Sequence, residues 1–217
     1  MIKAVLFDLD GTFADTAPDL AAALNHVRTL HNLPPLPIEA IRPQASHGSV
    51  GLLKLSFNIE PDAPNFASLR EAFLNYYDTH ICVHTTLFNG MAQLIEALEH
   101  RRLPWGIVTN KPHRFTLPLM QALGYAQRAA CLISGDTCAR AKPHPDPLLK
   151  ASELMHLAPQ HCLYLGDDKR DVEAGRAAGM KTLIARYGYI SPQEDLAAWQ
   201  ANGAINSPME LTAHLTL

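Results

Sequence analysis

Aspartate residues cluster at two places in the sequence, a few residues apart within each cluster. Asp8 and Asp10 are separated by one residue, and Asp167, Asp168 and Asp171 follow much later in the chain. Residues two apart in an extended segment project to the same side, so Asp8 and Asp10 can reach one cleft. One carboxylate can attack phosphorus as a nucleophile, and the other can handle the proton of a leaving alkoxide. The pair therefore predicts phosphoryl chemistry.

A second set of residue types fits the same chemistry. Carboxylates crowded into one cleft repel each other unless a cation joins them, and Asp167 and Asp171, four residues apart, share a face if a helix begins by then. Oxygen-only ligands suit Mg²⁺. Thr109 can donate a hydrogen bond to a phosphoryl oxygen, and Lys142 can place a positive charge beside it. We therefore expect Mg²⁺ as the cofactor, stabilising charge together with these two side chains.

The polar residues follow the ends of predicted strands. Strand and helix patterns alternate through most of the chain, which predicts a parallel sheet with helices on both faces. Ligands bind at the carboxyl ends of the strands in such sheets. The predicted fold class is α/β, a three-layer, Rossmann-like parallel sheet, and the tail from Ser191 is predicted to be a loop and a final helix. The five predicted strands span residues 4–7, 105–108, 131–133, 162–165 and 182–185.

One segment breaks the alternation. Six prolines lie between residues 34 and 64, and helical patterns occur at about 18–31, 50–57 and 66–81. Thr16 or Asp15 is the candidate cap of the first of these helices. We predict a small helical cap domain over residues 16–82, inserted into an α/β core domain formed by residues 1–15 and 83–217.

Composition excludes several classes of protein. The chain has 217 residues and a formal net charge of −3, so its overall field gives no reason to expect a nucleic-acid partner. No run approaches the ~18 apolar residues of a membrane span, and the apolar stretch at the start is too short for a signal peptide. The four cysteines show no C-x-x-C spacing. We expect a soluble cytoplasmic monomer or homodimer.

The ordered set of motifs resembles the haloacid dehalogenase superfamily, and the resemblance covers nearly the whole chain. One departure is Phe13-Ala14, since the family usually has Leu or Ile at the first of these positions; both are apolar, so we expect the chemistry to survive. The stretches similar to the four family motifs are, in chain order, Asp8-Leu9-Asp10-Gly11-Thr12, Val108-Thr109-Asn110-Lys111, Lys142-Pro143 and Gly166-Asp167-Asp168-x-x-Asp171.

The resemblance implies catalytic roles for four residues. Asp8 is the nucleophile, and Asp10 is the general acid and then the base that activates the hydrolytic water. Thr109 and Lys142 hold the phosphate. An Asp at position 10 favours phosphoryl transfer over dehalogenation.

The resemblance also implies a ligand set for the metal. Mg²⁺ is bound by Asp8, by the backbone carbonyl of Asp10 and by Asp167, with Asp171 and Asp168 in support. The residues alone leave a second interpretation of Asp168 open, as the cap of the following helix.

The insertion resembles the helical cap of phosphoglycolate-phosphatase-like members, which closes over the cleft and selects the substrate. Among these, the chain resembles the bacterial N-acetylmuramic acid 6-phosphate phosphatases. The implied substrate is a small phosphomonoester, preferably N-acetylmuramic acid 6-phosphate from peptidoglycan recycling, with 2-phosphoglycolate as the alternative. The stretches that carry this narrower resemblance are Ile41-Arg42-Pro43, Ser46-His47-Gly48, Leu87-Phe88-Asn89-Gly90-Met91, Trp105-Gly106-Ile107-Val108-Thr109-Asn110-Lys111-Pro112 and Arg186-Tyr187-Gly188-Tyr189-Ile190.

Further candidates for substrate contact lie in the insertion and after the second motif. His47-Gly48-Ser49 and Arg42 occupy the place of a substrate-selecting loop, although Ser49 is equally suited to begin a helix. Asn110 and Lys111 are candidate substrate-binding residues, and either Lys111 or Arg114 can meet a substrate carboxylate.

Two other function classes share the motifs. A sugar phosphomutase would return phosphate to a sugar rather than to water, and it would release little free phosphate. A non-catalytic module with a relic site usually lacks the nucleophile or the acid, and here both Asp8 and Asp10 are present.

Overall fold

The computed structural model describes residues 1–215 of the chain. The strands are β1 (Ala4–Phe7), β2 (Ala14–Asp15), β3 (Thr86–Leu87), β4 (Trp105–Val108), β5 (Cys131–Ile133), β6 (Cys162–Gly166), β7 (Lys181–Ala185) and β8 (Gly203–Ile205). The α-helices are α1 (Ala17–Leu30), α2 (Ile38–Ile41), α3 (Gly48–Phe57), α4 (Phe66–Thr79), α5 (Met91–His100), α6 (His113–Ala122), α7 (Asp146–Leu154) and α8 (Lys169–Ala177). Short 3₁₀ helices span Arg42–His47, Pro159–His161, Leu196–Trp199 and Pro208–His214.

Six strands form one parallel sheet in the order β5-β4-β1-β6-β7-β8. β1 lies in the middle. The next strands of this sheet along the chain, β4 and β5, lie on one side of β1, and β6, β7 and β8 lie on the other. Ligands of open α/β sheets bind where the strand order reverses in this way. The topology therefore places the end of β1 at the candidate site, and the predicted fold class is confirmed.

Alternate side chains of β1 serve two different cores, because successive residues of a strand face opposite sides of the sheet. Val5 and Phe7 pack with residues of α5 and α6. Ala4 and Leu6 pack with residues of α7 and α8. All four are fully buried, so the central strand is covered on both faces, as the continuous apolar run Ala4–Phe7 predicts.

The helices between β2 and β3 form a third apolar cluster. α1, α3 and α4 contribute Leu24, Leu53 and Phe73 to its buried interior. β2 and β3 pair antiparallel, Ala14 with Leu87 and Asp15 with Thr86, where the chain enters and leaves this helical segment. These helices lie within the predicted cap, residues 16–82; the boundaries of that cap remain a prediction.

Three details of the chain differ from the sequence-based expectation. The tail holds β8, the sixth strand of the parallel sheet, between two 3₁₀ helices. This strand has only three residues, too few for an alternating pattern, and it lies among Asn, Gly and Ser residues, which are typical of turns. The β2–β3 pair was likewise not predicted. Thr16 occupies the N-cap position of α1, but its side chain makes no capping bond. Among residues 1–215, no helix has the length and apolarity needed to cross a bilayer.

Candidate active site

Three carboxylates meet beyond the ends of the central strands. Asp8 follows β1, Asp167 follows β6, and Asp171 lies in the first turn of α8. One oxygen from each lies within 4.8 Å of the others, and all three side chains are buried. Because β1 and β6 pair in register, with Phe7 opposite Leu165, the residues that follow them emerge together.

The turn after β1 fits closely around Asp167. Gly11 has a φ of +79°, and a Cβ atom on it would overlap the Asp167 carboxylate, so glycine is required both for the conformation and for the approach. The hydroxyl of Thr12 donates to Asp167 Oδ1 at 2.8 Å, and the backbone N–H of Tyr189 donates to Oδ2 at 2.9 Å. These contacts fix the orientation of the carboxylate.

Lys142 is the cation closest to the acidic group. Its Nζ lies 3.0 Å from Asp8 Oδ1 and 2.7 Å from Asp171 Oδ1, and its side chain is only 2% exposed. It also donates to the hydroxyl of Tyr164 at 2.7 Å. A lysine held by this many partners is a fixed point charge beside Asp8.

Asn110 positions the Lys142 loop. Its amide nitrogen donates to the carbonyl of Lys142 at 2.8 Å, and its Oδ1 accepts from the backbone N–H of Lys142 at 3.0 Å. Both polar groups of the Asn110 side chain are thus engaged by the backbone. Thr109 is buried, and its Oγ1 accepts from the N–H of Lys111 at 3.1 Å, which leaves the hydroxyl proton available to a ligand.

Burial dominates the electrostatics of the acidic group. Removal from water raises the pKa of Asp8 to about 7, although Lys142 acts against this shift and Asp171 and Asp10 add to it. Burial also raises the pKa of Asp167 well above its ordinary value, and the charges of Asp8 and Asp171 add to that effect. Burial would by itself lower the pKa of Lys142, but the adjacent Asp171 and Asp8 raise it overall. With all three carboxyls ionised, the acidic group would carry more negative charge than Lys142 neutralises.

Asp10 is anchored by one oxygen. Its Oδ1 accepts from the hydroxyl of Thr16 at 2.6 Å and from Lys111 Nζ at 2.8 Å. The Lys111 ammonium is itself nearly buried and lies 4.7 Å from the centre of the Tyr77 ring. Among the described residues, Oδ2 of Asp10 accepts no hydrogen bond, so it is free to serve a ligand.

Asp168 lies beside the acidic group and caps the helix that follows. It is the N-cap of α8, where its side chain and that of Asp171 form a reciprocal capping box. Arg170 pairs with it at 2.6 Å. Burial would raise the pKa of Asp168, but hydrogen bonds and charge from Arg170 lower it overall. The structure thus has Asp168 in the capping arrangement, with its charge already matched by Arg170.

The predicted cap residues separate into two places. His47, Gly48 and Ser49 line the cavity above Asp8. Arg42 does not; it pairs with Asp15 at 2.7 Å. The interpretation of Ser49 as a helix cap is wrong, because His47 holds the N-cap position of α3 and Ser49 Oγ accepts from Arg70 Nε at 3.2 Å.

A cavity lies between the strand ends and the helices of the predicted cap, α1 to α4, which are called the cap helices below. Its volume is about 290 Å³. It brings together most of the predicted site residues, namely Asp8, Asp10, Thr109, Asn110, Lys111, Lys142, Asp168 and Asp171. Sequence reasoning missed several of its other lining residues, among them Ser46, Arg70, Phe73, Tyr77, Phe115 and Arg170. Phe73 and Tyr77 follow Phe66 and Leu69 at helical spacing, a pattern typical of core packing. The one signal of a ligand contact in this pattern is the polar hydroxyl of Tyr77.

The acidic group suits a hard divalent cation. Its donors are all oxygens, contributed by Asp8, Asp167 and Asp171, which is the donor set that Mg²⁺ prefers. The surplus negative charge described above would be offset by such an ion. The residues present therefore fit a divalent metal.

Comparisons with known proteins agree with this geometry. Residues 5–185 match the family model of haloacid dehalogenase-like hydrolases. The chain is 43% identical over 210 residues to a protein of Pseudomonas aeruginosa named N-acetylmuramic acid 6-phosphate phosphatase, covering 97% of this chain and 93% of that one. It is 41% identical over 209 residues to a protein of Xanthomonas campestris named phosphoglycolate phosphatase, covering 96% and 94% of the two chains.

A solved structure supports the same assignment. A protein of Haemophilus somnus, described as a predicted phosphoglycolate phosphatase, superimposes with a TM-score of 0.85 at 25% identity, covering 98% of this chain and 97% of that one. The family match spans every motif that the sequence places at the strand ends, and the resemblance inferred from those motifs is confirmed. The chain belongs to the haloacid dehalogenase-like hydrolases.

Proposed function

We propose that the protein is a Mg²⁺-dependent phosphatase that hydrolyses N-acetylmuramic acid 6-phosphate through an aspartyl-phosphate on Asp8. The observation that carries the proposal is the position of Asp8 at the floor of the cavity, with Lys142 at 3.0 Å on one side and the anchored Asp10 among the lining residues. A nucleophile, a cation and a proton-transfer group thus face one space.

The chain's own residues account for both halves of the reaction. A carboxylate oxygen of Asp8 attacks phosphorus, the bond to the ester oxygen breaks, and Asp10 gives its proton to the departing alkoxide. Asp10 then takes a proton from water as the water oxygen attacks the phosphorus of the aspartyl-phosphate. The bond between phosphorus and Asp8 breaks, which restores the carboxylate and releases inorganic phosphate.

Other residues hold the phosphoryl group. The Thr109 hydroxyl donates to a phosphoryl oxygen, and Lys142 offsets negative charge as the transition state forms. Asn110 acts through Lys142, since its amide bonds fix the loop that carries this lysine. When bound by Asp8, Asp167, Asp171 and the carbonyl of Asp10, Mg²⁺ would supply further charge stabilisation for the phosphoryl oxygens.

The shape and charge of the cavity support a substrate larger than a two-carbon acid. A volume of about 290 Å³ corresponds to roughly ten water molecules at about 30 Å³ each, and it is close to the lower end of the ~300–1,000 Å³ range of small-molecule sites. Arg70 and Arg114 line the cavity and are exposed. Neither pairs with an acid within residues 1–215, so they suit the carboxylate that the lactyl group of the amino sugar carries.

The second candidate substrate is 2-phosphoglycolate, because a relative in Xanthomonas campestris is named phosphoglycolate phosphatase. It also carries a carboxylate, but its organic part is much smaller.

The cytoplasm is the proposed compartment. The four cysteines are free thiols, which suits a reducing environment.

The proposal is tested by measuring Mg²⁺-dependent phosphate release from the two esters side by side. We expect kcat/KM for N-acetylmuramic acid 6-phosphate to exceed that for 2-phosphoglycolate at least a hundredfold, about 2.7 kcal/mol of discrimination in the transition state. The reverse preference would assign the smaller substrate. Transfer of phosphate between sugar positions with little free phosphate would instead identify a phosphomutase.

A further inference from the structure

The cavity contains one polar group whose purpose the reaction scheme leaves open. Tyr77 lies on α4 of the cap helices and lines the cavity, yet its side chain is almost fully buried, at 1% exposure. Its hydroxyl is the one buried side-chain polar atom of residues 1–215 without a hydrogen-bond partner of normal geometry. The neighbouring Lys111 ammonium interacts with the hydroxyl oxygen, but an ammonium can only donate, so the hydroxyl proton has no acceptor. A buried group without a partner costs about 1–3 kcal/mol, so it calls for an explanation.

The ring of Tyr77 is held rigidly in place. It packs edge-on against Phe115 with centroids 5.5 Å apart and stacks on Phe73 at 6.5 Å. Phe115 belongs to α6 of the core and Phe73 to the cap helix α4, so the ring bridges the seam between the two. A donor fixed by its packing loses little entropy when a ligand arrives.

The hydroxyl lies near the proton-transfer end of the cavity. The Tyr77 ring centre is 4.7 Å from Lys111 Nζ, and Lys111 in turn pairs with Asp10 at 2.8 Å. Burial raises the pKa of Tyr77 to about 12, with Lys111 acting against the shift and Asp10 adding to it. The hydroxyl therefore remains a neutral donor at physiological pH.

We propose that Tyr77 is a specificity-determining residue whose hydroxyl donates a hydrogen bond to an oxygen of the leaving group close to the scissile ester. The inference rests on the proposed function, because it takes Asp10 as the group that protonates the same leaving group. A hydroxylated leaving group satisfies the buried donor, whereas one without oxygen near the ester leaves it unpaired. Sites built to bond a substrate oxygen discriminate strongly for this reason.

The proposal predicts that Tyr77→Phe lowers activity toward the sugar phosphate without lowering the stability of the protein. We expect kcat/KM for N-acetylmuramic acid 6-phosphate to fall at least tenfold, because the substrate oxygen loses its donor. The loss should be clearly smaller with p-nitrophenyl phosphate, whose leaving group has no oxygen near the ester to accept from Tyr77. The melting temperature of the variant should stay close to that of the wild type, because the hydroxyl donates no hydrogen bond to the protein and Lys111 keeps its pairing with Asp10.

Tyr76→Phe is the matched control. Tyr76 is the neighbouring residue on α4, and its ring stacks between His26 and His80 at 4.4 and 4.1 Å, away from the lining of the cavity. We expect this variant to retain wild-type kcat/KM with both esters.

Four results would overturn the inference. Sugar-phosphate hydrolysis within twofold of wild type in Tyr77→Phe would remove the substrate contact and leave the proposed function standing. An equal loss with both esters, or a clear fall in melting temperature, would assign Tyr77 to the general structure of the site. If the wild-type enzyme releases phosphate from neither N-acetylmuramic acid 6-phosphate nor 2-phosphoglycolate, the proposed function falls and the inference falls with it.

Discussion

At the scale of single residues, charge balance decides the chemistry of the site. Asp8, Asp167 and Asp171 converge within 4.8 Å, and Lys142 is the one cation in direct contact with members of this group among the described residues. Burial, followed by mutual repulsion, raises the pKa of Asp167 well above its ordinary value. A divalent cation relieves this repulsion, so metal binding and protein stability should be coupled.

Mg²⁺ should raise the melting temperature of the wild-type protein. At about 100 times its Kd, the ion adds about 2.7 kcal/mol, or roughly 5–10 °C for a chain of this size. We expect Asp167→Asn to lose the shift and Asp168→Asn to keep it, because Asp168 is already paired with Arg170 at 2.6 Å. The readout is the shift within each variant, measured by calorimetry with Mg²⁺ and with EDTA. An undiminished shift in Asp167→Asn would contradict the proposed ligand set.

At the scale of elements, the helical segment is joined to the core through a buried carboxylate. Asp19, in the first turn of α1, accepts the backbone N–H groups of Val83, His84 and Thr85 at 2.9–3.1 Å. It also accepts the hydroxyl of Thr85 at 2.7 Å. The start of α1 and residues 83–85, which lead into β3, are thus tied together at the base of the helical segment.

Asp19→Asn should destabilise the protein. The amide nitrogen that replaces one carboxylate oxygen cannot accept a hydrogen bond, so N–H groups at residues 83–85, of which that of Thr85 is buried, lose their acceptor. We expect a loss of about 1–3 kcal/mol in the free energy of unfolding, measured by urea denaturation. Asp78→Asn, an exposed position on α4, should change stability by less than about 0.5 kcal/mol. A similarly small change in Asp19→Asn would contradict the bracing role.

The sequence determines some of these elements better than others. Buried strands and their polar ends were predictable because Ala4–Phe7 and Trp105–Val108 are continuous apolar runs followed by Asp8 and Thr109. β8 was not predictable, because it is a three-residue edge strand whose register depends on β7.

Side-chain partners were predictable only in part. The converging carboxylates follow from the order of the strands, but the pairing of Arg42 with Asp15 and of Asn110 with the Lys142 backbone depends on how loops meet in space. Tyr77 illustrates the same limit. Its spacing on α4 predicts core packing, and only the structure shows that its hydroxyl proton lacks an acceptor.

At the scale of the whole molecule, the helical segment between β2 and β3 lies against the strand ends. The Ser46 hydroxyl donates to Asp167 Oδ2 at 3.2 Å, and Arg170 donates to the Ser46 carbonyl at 2.9 Å. The segment Arg42–His47 thus contacts the acidic group directly. A covered cleft of this kind can exclude water, so under the proposed function substrate selection and catalysis would share one space above Asp8.

The most direct test of the account asks whether phosphate passes through Asp8. Asp10→Asn should be mixed with p-nitrophenyl phosphate and Mg²⁺, quenched in acid and examined by mass spectrometry. Nitrophenolate leaves without an acid, whereas water attack on the intermediate needs the missing base, so we expect phosphoryl-enzyme to accumulate on Asp8. The double variant with Asp8→Asn should show none, and Asp8→Asn alone should lose turnover while remaining folded. Substantial turnover by Asp8→Asn, or phosphate release from Asp10→Asn without any phosphorylated Asp8, would contradict the account.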